Sequence, residues 1–154
     1  MNKIEKITNQ SGRTYIEDNT LILEYIDGDY KKIPISSIKI VAEYTTENGP
    51  VLDDWFMVFY HGKNEYSEIS MYAENIKEMI SILSSKLDTE LDSNLVSCTH
   101  FESHILWPIK LKGEKLWVIK NAKSKTFFEK FKNLFGLKKK ELVLTKKVQV
   151  LLGF

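Results

Sequence analysis

The sequence predicts an α+β fold, in which short strands precede one amphipathic helix and a second set of strands with a helix follows. Short segments of apolar–polar alternation, separated by turn residues, fill roughly the first seventy positions. An apolar stripe at helical spacing comes next, and the strand, strand, helix order then occurs again without a residue-level repeat. Strands that precede a helix in this way are typical of an α+β protein.

The predicted strands are delimited by turn residues. Asp18-Asn19 and Asp27-Gly28 each mark a turn, and the second is typical of a two-residue hairpin because its residues tolerate a positive φ. The alternation over Ile38–Glu43 predicts a half-buried strand. The turn residues His61–Asn64 predict a hairpin between two aromatic strands. In order, the predicted strands are Ile4–Ile7, Thr14–Ile16, Leu21–Ile26, Tyr30–Ile35, Ile38–Glu43, Trp55–Tyr60 and Tyr66–Tyr72.

The first helix is predicted from its start and from its apolar face. Asn75 with Glu78 three positions later forms the pattern of a capping box. The apolar residues that follow recur every three or four positions, so they share one side of a helix. They are Ile76, Met79, Ile80, Leu83 and Leu87.

The rest of the chain is predicted to hold a hairpin, a second helix and a final strand. Gly113 separates two candidate strands, Ile105–Lys112 and Glu114–Ile119, and Thr126 with Glu129 forms a second capping box. No Pro/Gly/Ser-rich linker precedes this part. We therefore expect residues 1–92 to form a sheet with a capping helix and residues 93–154 to pack on it as a basic extension, or both to form one continuous domain. The second helix presents Phe127, Phe128, Phe131, Leu134 and Phe135, and the final strand carries Leu142, Leu144, Val148, Val150 and Leu152.

Three segments together resemble bacterial pleckstrin-homology-like domains. They are KKIPISSIKIVAEY (Lys31–Tyr44), WFMVFY (Trp55–Tyr60) and EISMYAENIKEMISIL, which passes from a strand into the first helix, all within Tyr30–Leu87. The resemblance implies a bent antiparallel sheet that closes partly on itself, with the helix plugging one open end. It also implies binding of lipids, peptides or proteins, without catalysis. Such a domain would end near Asp92, whereas this chain continues for about sixty residues.

Charge is divided unevenly along the chain. Thirteen lysines and three acidic residues lie between Lys110 and Phe154, a surplus of ten positive charges, whereas the preceding residues carry a surplus of nine negative charges. Either the two parts attract each other within the folded protein, or the basic part meets a negatively charged partner. The sequence leaves both interpretations open.

Composition and the lengths of apolar runs limit the classes of protein to which this chain can belong. The single cysteine excludes an internal disulfide, and the N-terminal residues lack the apolar core of a signal peptide. No apolar run approaches the ~18 residues that a membrane-spanning helix needs. With 43% hydrophobic residues the chain can form a core, and we expect a soluble, cytoplasmic protein.

Asp53, Asp54 and Trp55 are candidates for binding a protein partner. They follow the turn residues Asn48-Gly49-Pro50 and begin a predicted strand. Adjacent side chains of a strand point to opposite faces, so the two carboxylates are not expected to act as an acid–base pair. The pattern favours a solvated loop, or the polar rim of a binding surface with Trp55 as its anchor.

Cys98, His100 and His104 are weaker candidates for a metal site. In an extended segment these side chains and Glu102 share one face, and they are chemically suitable for zinc. The spacing matches no standard zinc module, so we expect no metal. A Cys98–His100 nucleophile pair is also not expected, because same-face neighbours along a strand lie about 7 Å apart.

The predicted Phe-rich helix and the lysines around it are candidates for binding an anionic membrane surface. A face of phenylalanines flanked by lysines is the composition of a membrane-surface helix. The alternative is that the phenylalanines pack on the protein's own sheet. The membrane-binding candidates are Phe127, Phe128, Lys130, Phe131, Lys132, Phe135, Lys138, Lys139 and Lys140.

The sequence therefore predicts a non-catalytic binding module that recognises a protein partner. No phosphate-binding loop and no nucleophile elbow occurs, so we expect no cofactor and no enzymatic activity, and no small-molecule substrate is indicated. Nucleic acid is not expected, because Arg13 is the only arginine. The alternatives are peripheral binding of an anionic membrane through the C-terminal part, and a small metal-dependent enzyme around Cys98, His100 and His104.

Overall fold

The computed structural model describes residues 10–47, 52–96, 98–121 and 140–154. In these residues nine strands form three antiparallel sheets, with two α-helices and two short 3₁₀ helices, which confirms the predicted α+β class. The strands are β1 (Arg13–Glu17), β2 (Thr20–Glu24), β3 (Tyr30–Pro34), β4 (Ile40–Thr45), β5 (Trp55–Tyr60), β6 (Tyr66–Ser70), β7 (Glu102–Trp107), β8 (Trp117–Asn121) and β9 (Lys140–Leu144). The helices are α1 (Ile76–Lys86) and α2 (Lys146–Leu152), and the 3₁₀ helices are Ile35–Ser37 and Ile109–Leu111.

The first sheet, in the order β1-β2-β3, consists of two consecutive hairpins. Asp18 and Asn19 turn the first, with φ of 48° and 60°, as the predicted turn requires. The second hairpin is confirmed, but its loop has three residues rather than the predicted two. The Tyr25 N–H donates to the Asp29 carbonyl at 2.8 Å, and Gly28 takes the left-handed position at φ 94°. A type I turn followed by a left-handed glycine is the usual three-residue hairpin loop.

The second sheet, in the order β6-β5-β4-β7, separates two hydrophobic cores. Its central strand β4 was predicted to be half-buried, and that prediction is wrong, because all six residues are buried. Val41 faces the first core, while Ile40, Ala42 and Tyr44 face the second. Alternation along β4 therefore sorts residues between two cores rather than between a core and solvent.

The first core lies between the two larger sheets and α1. Leu21 and Ile33 come from the first sheet and Met57 from the second, and Met79 and Leu83 contribute the buried face of α1. The predicted helical stripe is thus confirmed. The predicted capping box is wrong: Asn75 is left-handed at φ 69° and makes no side-chain cap bond. Its Nδ2 donates instead to the Thr14 carbonyl at 3.2 Å, which ties the start of α1 to β1.

The segment after α1 joins the second sheet and then leaves it. β7 pairs with β4, and β8 pairs with β9, so the predicted hairpin of Ile105–Lys112 with Glu114–Ile119 is wrong as a strand pair. The strand ends at Trp107 because Pro108 has no N–H to continue a ladder. The Ile105 N–H donates to the Glu114 carbonyl at 2.8 Å, so the two segments still lie side by side.

The predicted final strand, which carried Leu142 to Leu152, is a strand followed by a helix. β9 ends at Leu144, and α2 follows Thr145 and ends at Leu152, before Gly153, whose φ is 84°. Val148 and Leu152, four positions apart, are both buried in the second core. Val150 is 71% exposed, so the alternation that predicted a strand includes a residue on the outer side of the helix.

Three predicted features lie outside the described residues. They are the strand Ile4–Ile7, the turn Asn48-Gly49-Pro50 and the Phe-rich helix over Phe127–Phe135.

Aromatic rings fill the outer end of the second core. Tyr44 lies edge-on to Trp117 with ring centroids 5.2 Å apart, and Tyr60 stacks on Tyr66 at 5.2 Å. The Trp117 indole N–H donates to the Tyr60 hydroxyl at 3.3 Å. Burial raises the pKa of Tyr60 to about 12 and, in the first core, raises the pKa of Tyr25 to about 12.

We expect Leu83→Ala to lower the free energy of unfolding by about 2–5 kcal/mol, because it leaves a cavity beside Met79 in a fully buried site. Urea denaturation followed by circular dichroism measures this change. The matched control is Ser81→Ala on the exposed side of α1, which should shift the free energy by no more than about 0.5 kcal/mol. Equal effects of the two changes would mean that the α1 face is not packed in the first core.

We also expect the free energy of unfolding to fall as pH rises from about 10 to about 12. Over this range the tyrosines of the unfolded chain release protons while Tyr25 and Tyr60 retain theirs, so the stabilisation is complete below about pH 10 and is lost through the folded-state pKa. Urea midpoints measured across this range test the slope. Tyr60→Phe should make the slope shallower, and an unchanged slope would contradict the assignment.

Candidate functional site

A groove on the surface lies between the 3₁₀ helix Ile109–Leu111 and α2. Its volume is about 640 Å³, within the range of about 300–1,000 Å³ typical of ligand pockets. We call it the basic groove. Its lining residues are Lys110, Leu111, Lys146, Lys147, Val150 and Leu151.

The floor of the basic groove is apolar because both of its walls rest on the second core. Leu111 is buried at the end of the 3₁₀ helix, and Leu151 is half-buried against the same core. Val150 points outward and is 71% exposed, and the neighbouring Ile109 is 73% exposed. Grouped exposed apolar side chains of this kind mark binding surfaces more often than isolated ones do.

The rim of the basic groove carries three lysines, one on the first wall and two on the second. Lys147 Nζ donates to Glu114 Oε1 at 2.6 Å. Within the described part of the chain, neither Lys110 nor Lys146 forms an ion pair. Two uncompensated ammonium groups beside an apolar floor give the groove a positive potential.

Both walls are helical, and neither presents a strand edge to the groove. In the 3₁₀ helix the Leu111 N–H donates to the Pro108 carbonyl at 3.0 Å, and the Lys112 N–H donates to the Ile109 carbonyl at 3.2 Å. In α2 the Gln149 N–H donates to the Thr145 carbonyl at 3.0 Å. A ligand in this groove therefore meets side chains and not an open strand edge.

The predicted partner-binding residues Asp53, Asp54 and Trp55 lie together at the start of β5. Asp54 Oδ1 accepts a hydrogen bond from the Tyr72 hydroxyl at 2.7 Å, and this bond raises the pKa of Tyr72 to about 12. The Trp55 ring lies edge-on to Tyr72, with centroids 6.3 Å apart. The Trp55 indole N–H donates to Glu43 Oε2 at 2.9 Å, so this side chain is held inward.

Glu43 is a buried polar residue that the sequence pattern placed on the solvent face. It is 0% exposed in the middle of β4. Besides Trp55, the Ser93 hydroxyl donates to Oε2 and the Asn94 N–H donates to Oε1 at 2.7 Å. Three donors satisfy the carboxylate and fasten the segment after α1 to the second sheet. In the sequence, the consecutive apolar residues of β4 were the signal that this strand, and therefore Glu43, is buried on both faces.

Two of the predicted metal-site residues, His100 and His104, lie near Glu102. Its two carboxylate oxygens lie 3.9 Å from His100 Nε2 and 3.7 Å from His104 Nε2, and Lys115 Nζ approaches at 3.3 Å. This is a carboxylate beside two imidazoles and one lysine. In the described residues no group of three or more His, Cys, Asp or Glu is arranged to hold a metal ion.

Cys98 lies closer to His100 than the sequence predicted. Cys98 Sγ is 3.7 Å from each ring nitrogen of His100, because this segment precedes β7 and is not extended. A sulfur equidistant from both nitrogens lies off the in-plane lone-pair direction of each. Neither nitrogen is then aligned to take the thiol proton, so the pair lacks the geometry of a nucleophile and its base.

The predicted membrane-binding residues from Phe127 to Lys139 lie outside the described part of the chain, and Lys140 begins β9. No helix among the described residues is both long enough and apolar enough to cross a membrane.

Sequence reasoning missed the basic groove because it assigned α2 to a strand. In a strand, Lys147 and Leu151 would point to the face opposite Lys146 and Val150, whereas in α2 all four line the same groove. The helical spacing of Val148 and Leu152, followed by a glycine, was the available signal.

No protein-family model matches the chain, and neither a curated protein nor a solved structure shows significant similarity to it. The chemistry of the described surfaces is therefore the basis for inferring a function.

We expect Glu43→Ala to lower the free energy of unfolding by about 3–5 kcal/mol, because three part-buried donors lose a carboxylate acceptor. Chemical denaturation measures this loss. Glu47→Ala, an exposed glutamate just beyond β4, is the matched control and should change the free energy by no more than about 0.5 kcal/mol. A neutral Glu43→Ala would show that the carboxylate does not fasten the segment.

Proposed function

We propose that this chain is a non-catalytic cytoplasmic binding module that recognises an acidic amphipathic segment of a protein partner in the basic groove. The observation that carries the proposal is the apolar floor between walls that bear Lys110, Lys146 and Lys147. An occupant must cover Val150 and Leu151 with apolar side chains and present carboxylates to the rim. These are the two faces of an amphipathic, acidic segment.

Charge and apolar contact have different roles in this proposal. An exposed lysine–carboxylate pair contributes only about 0.2–1 kcal/mol, so the lysines mainly steer the partner and select its charge. Burial of apolar surface at about 25 cal/mol per Å² supplies more of the affinity. Binding should therefore weaken with salt without being abolished.

The walls favour a helical occupant over an extended one. An extended peptide needs partners for its backbone N–H and C=O groups, and it usually finds them on a sheet edge. The 3₁₀ helix and α2 present no strand edge with which an extended peptide could pair. A segment bound here must satisfy its own backbone, as an α-helix does.

We further propose that the first part of the chain has the pleckstrin-homology-like arrangement that its sequence resembles. Six antiparallel strands, β1 to β6, share the first core and are followed by α1, which supplies Met79 and Leu83 to that core. Strand β7, the second core and the basic groove are then additions to this unit. Binding without catalysis agrees with that resemblance, although a fold by itself does not determine a function.

A designed peptide tests the proposal. We expect a fluorescent helical peptide with leucines at i, i+3, i+4 and i+7 and glutamates elsewhere to bind the full chain, as measured by fluorescence anisotropy. The same peptide with lysines in place of glutamates should not bind. The double change Lys110→Glu/Lys146→Glu should weaken binding about tenfold or more, because two attractions become repulsions.

The matched control is Lys31→Glu/Lys32→Glu on β3, which changes the net charge equally at another surface. If it weakens binding as strongly, or if Val150→Ser has no effect, the groove is not the site. Vesicles of phosphatidylglycerol and of phosphatidylcholine are tested in parallel. Binding to the anionic vesicles alone, lost in Lys110→Glu/Lys146→Glu and without peptide binding, would replace the protein partner with a membrane surface.

A further inference from the structure

We infer that Glu114 is an internal competitor for Lys147, and that it sets the affinity of the basic groove for acidic segments. This inference rests on the function proposed above. Lys147 is the only rim lysine with an ion-pair partner among the described residues, and that partner is the Glu114 carboxylate at 2.6 Å. An acidic residue of a bound segment would approach the same ammonium group.

The backbone of Glu114 is fixed while its side chain is free to move. The Glu114 N–H donates to the Leu111 carbonyl at 3.0 Å, and its carbonyl accepts from the Ile105 N–H at 2.8 Å. The side chain is 45% exposed, so its carboxylate can leave Lys147 by a rotamer change into water. Exchange of one carboxylate for another then needs no change in the fold.

Replacing the Glu114 carboxylate on Lys147 by a carboxylate of the bound segment changes the free energy little. The Lys147 side chain is 64% exposed, and an ion pair this open to solvent contributes little. Glu114 nevertheless keeps its negative charge close to the groove after it is displaced. An acidic segment therefore meets a repulsion that only a well-packed apolar face can overcome, so Glu114 favours segments with both features over those that are merely acidic.

A similar pair elsewhere on the surface provides a matched control. Lys112 Nζ lies 3.3 Å from Asp92 Oδ2, and both side chains are solvent-accessible. Neither residue lines the basic groove. Asp92→Asn and Glu114→Gln therefore remove the same charge from the same kind of pair, but only the second frees a rim lysine.

The experiment is anisotropy of the glutamate-rich helical peptide with the full chain. Glu114→Gln should tighten binding about threefold, within the range of about 1.4- to 5-fold expected for an exposed pair. Asp92→Asn should change the dissociation constant by less than half the factor found for Glu114→Gln. In a Lys147→Gln background, Glu114→Gln should tighten binding by a smaller factor, because the contested ammonium group is gone and only the repulsion by Glu114 is relieved.

The possible outcomes separate this inference from the proposed function. If the peptide binds but Glu114→Gln and Asp92→Asn tighten binding equally, the competition is overturned and the binding function stands. The same holds if Glu114→Gln acts equally with and without Lys147. If the peptide binds none of the proteins, while urea midpoints show that all are folded, both the function and the competition are overturned.

Discussion

The burial of β4 on both faces is the constraint on which the rest of the structure depends. A strand whose six residues are all buried requires covering layers on two sides, and the first sheet with α1 provides one of them. Strands β8 and β9 with α2 provide the other. The basic groove forms at the surface of this second layer, so its position follows from the need to cover the far side of β4.

One charged residue inside this strand determines how the two halves of the chain are joined. Burying the Glu43 carboxylate costs desolvation free energy that an apolar residue would not. That cost is offset only when both oxygens accept hydrogen bonds. Its donors come from Trp55 and from the segment that leads from α1 to β7. The chain is thereby held over the sheet where it passes from the first core to the second.

The sequence predicted the β1–β2, β2–β3 and β5–β6 hairpins and α1 because these elements depend on local signals. Asp27-Gly28, Asn19 and the apolar stripe of α1 act within a few residues of their own position. The β7 residues that pair with β4 lie about sixty positions away, and two donors to Glu43 lie 50 and 51 positions away, so periodicity cannot reveal either contact. For α2, strand-like alternation and helical spacing both fit the same residues. Only the packing of Val148 and Leu152 in the second core distinguishes the helix from a strand.

The shortness of α2 makes the groove sensitive to local unfolding. A helix of seven residues has little stability of its own, so α2 persists only while Val148 and Leu152 remain docked. The same helix supplies one wall of the groove. An opening of this helix alone, with the first core intact, would remove the wall and release an occupant. Occupancy of the groove and hydrogen-exchange protection of the α2 amides are therefore thermodynamically linked.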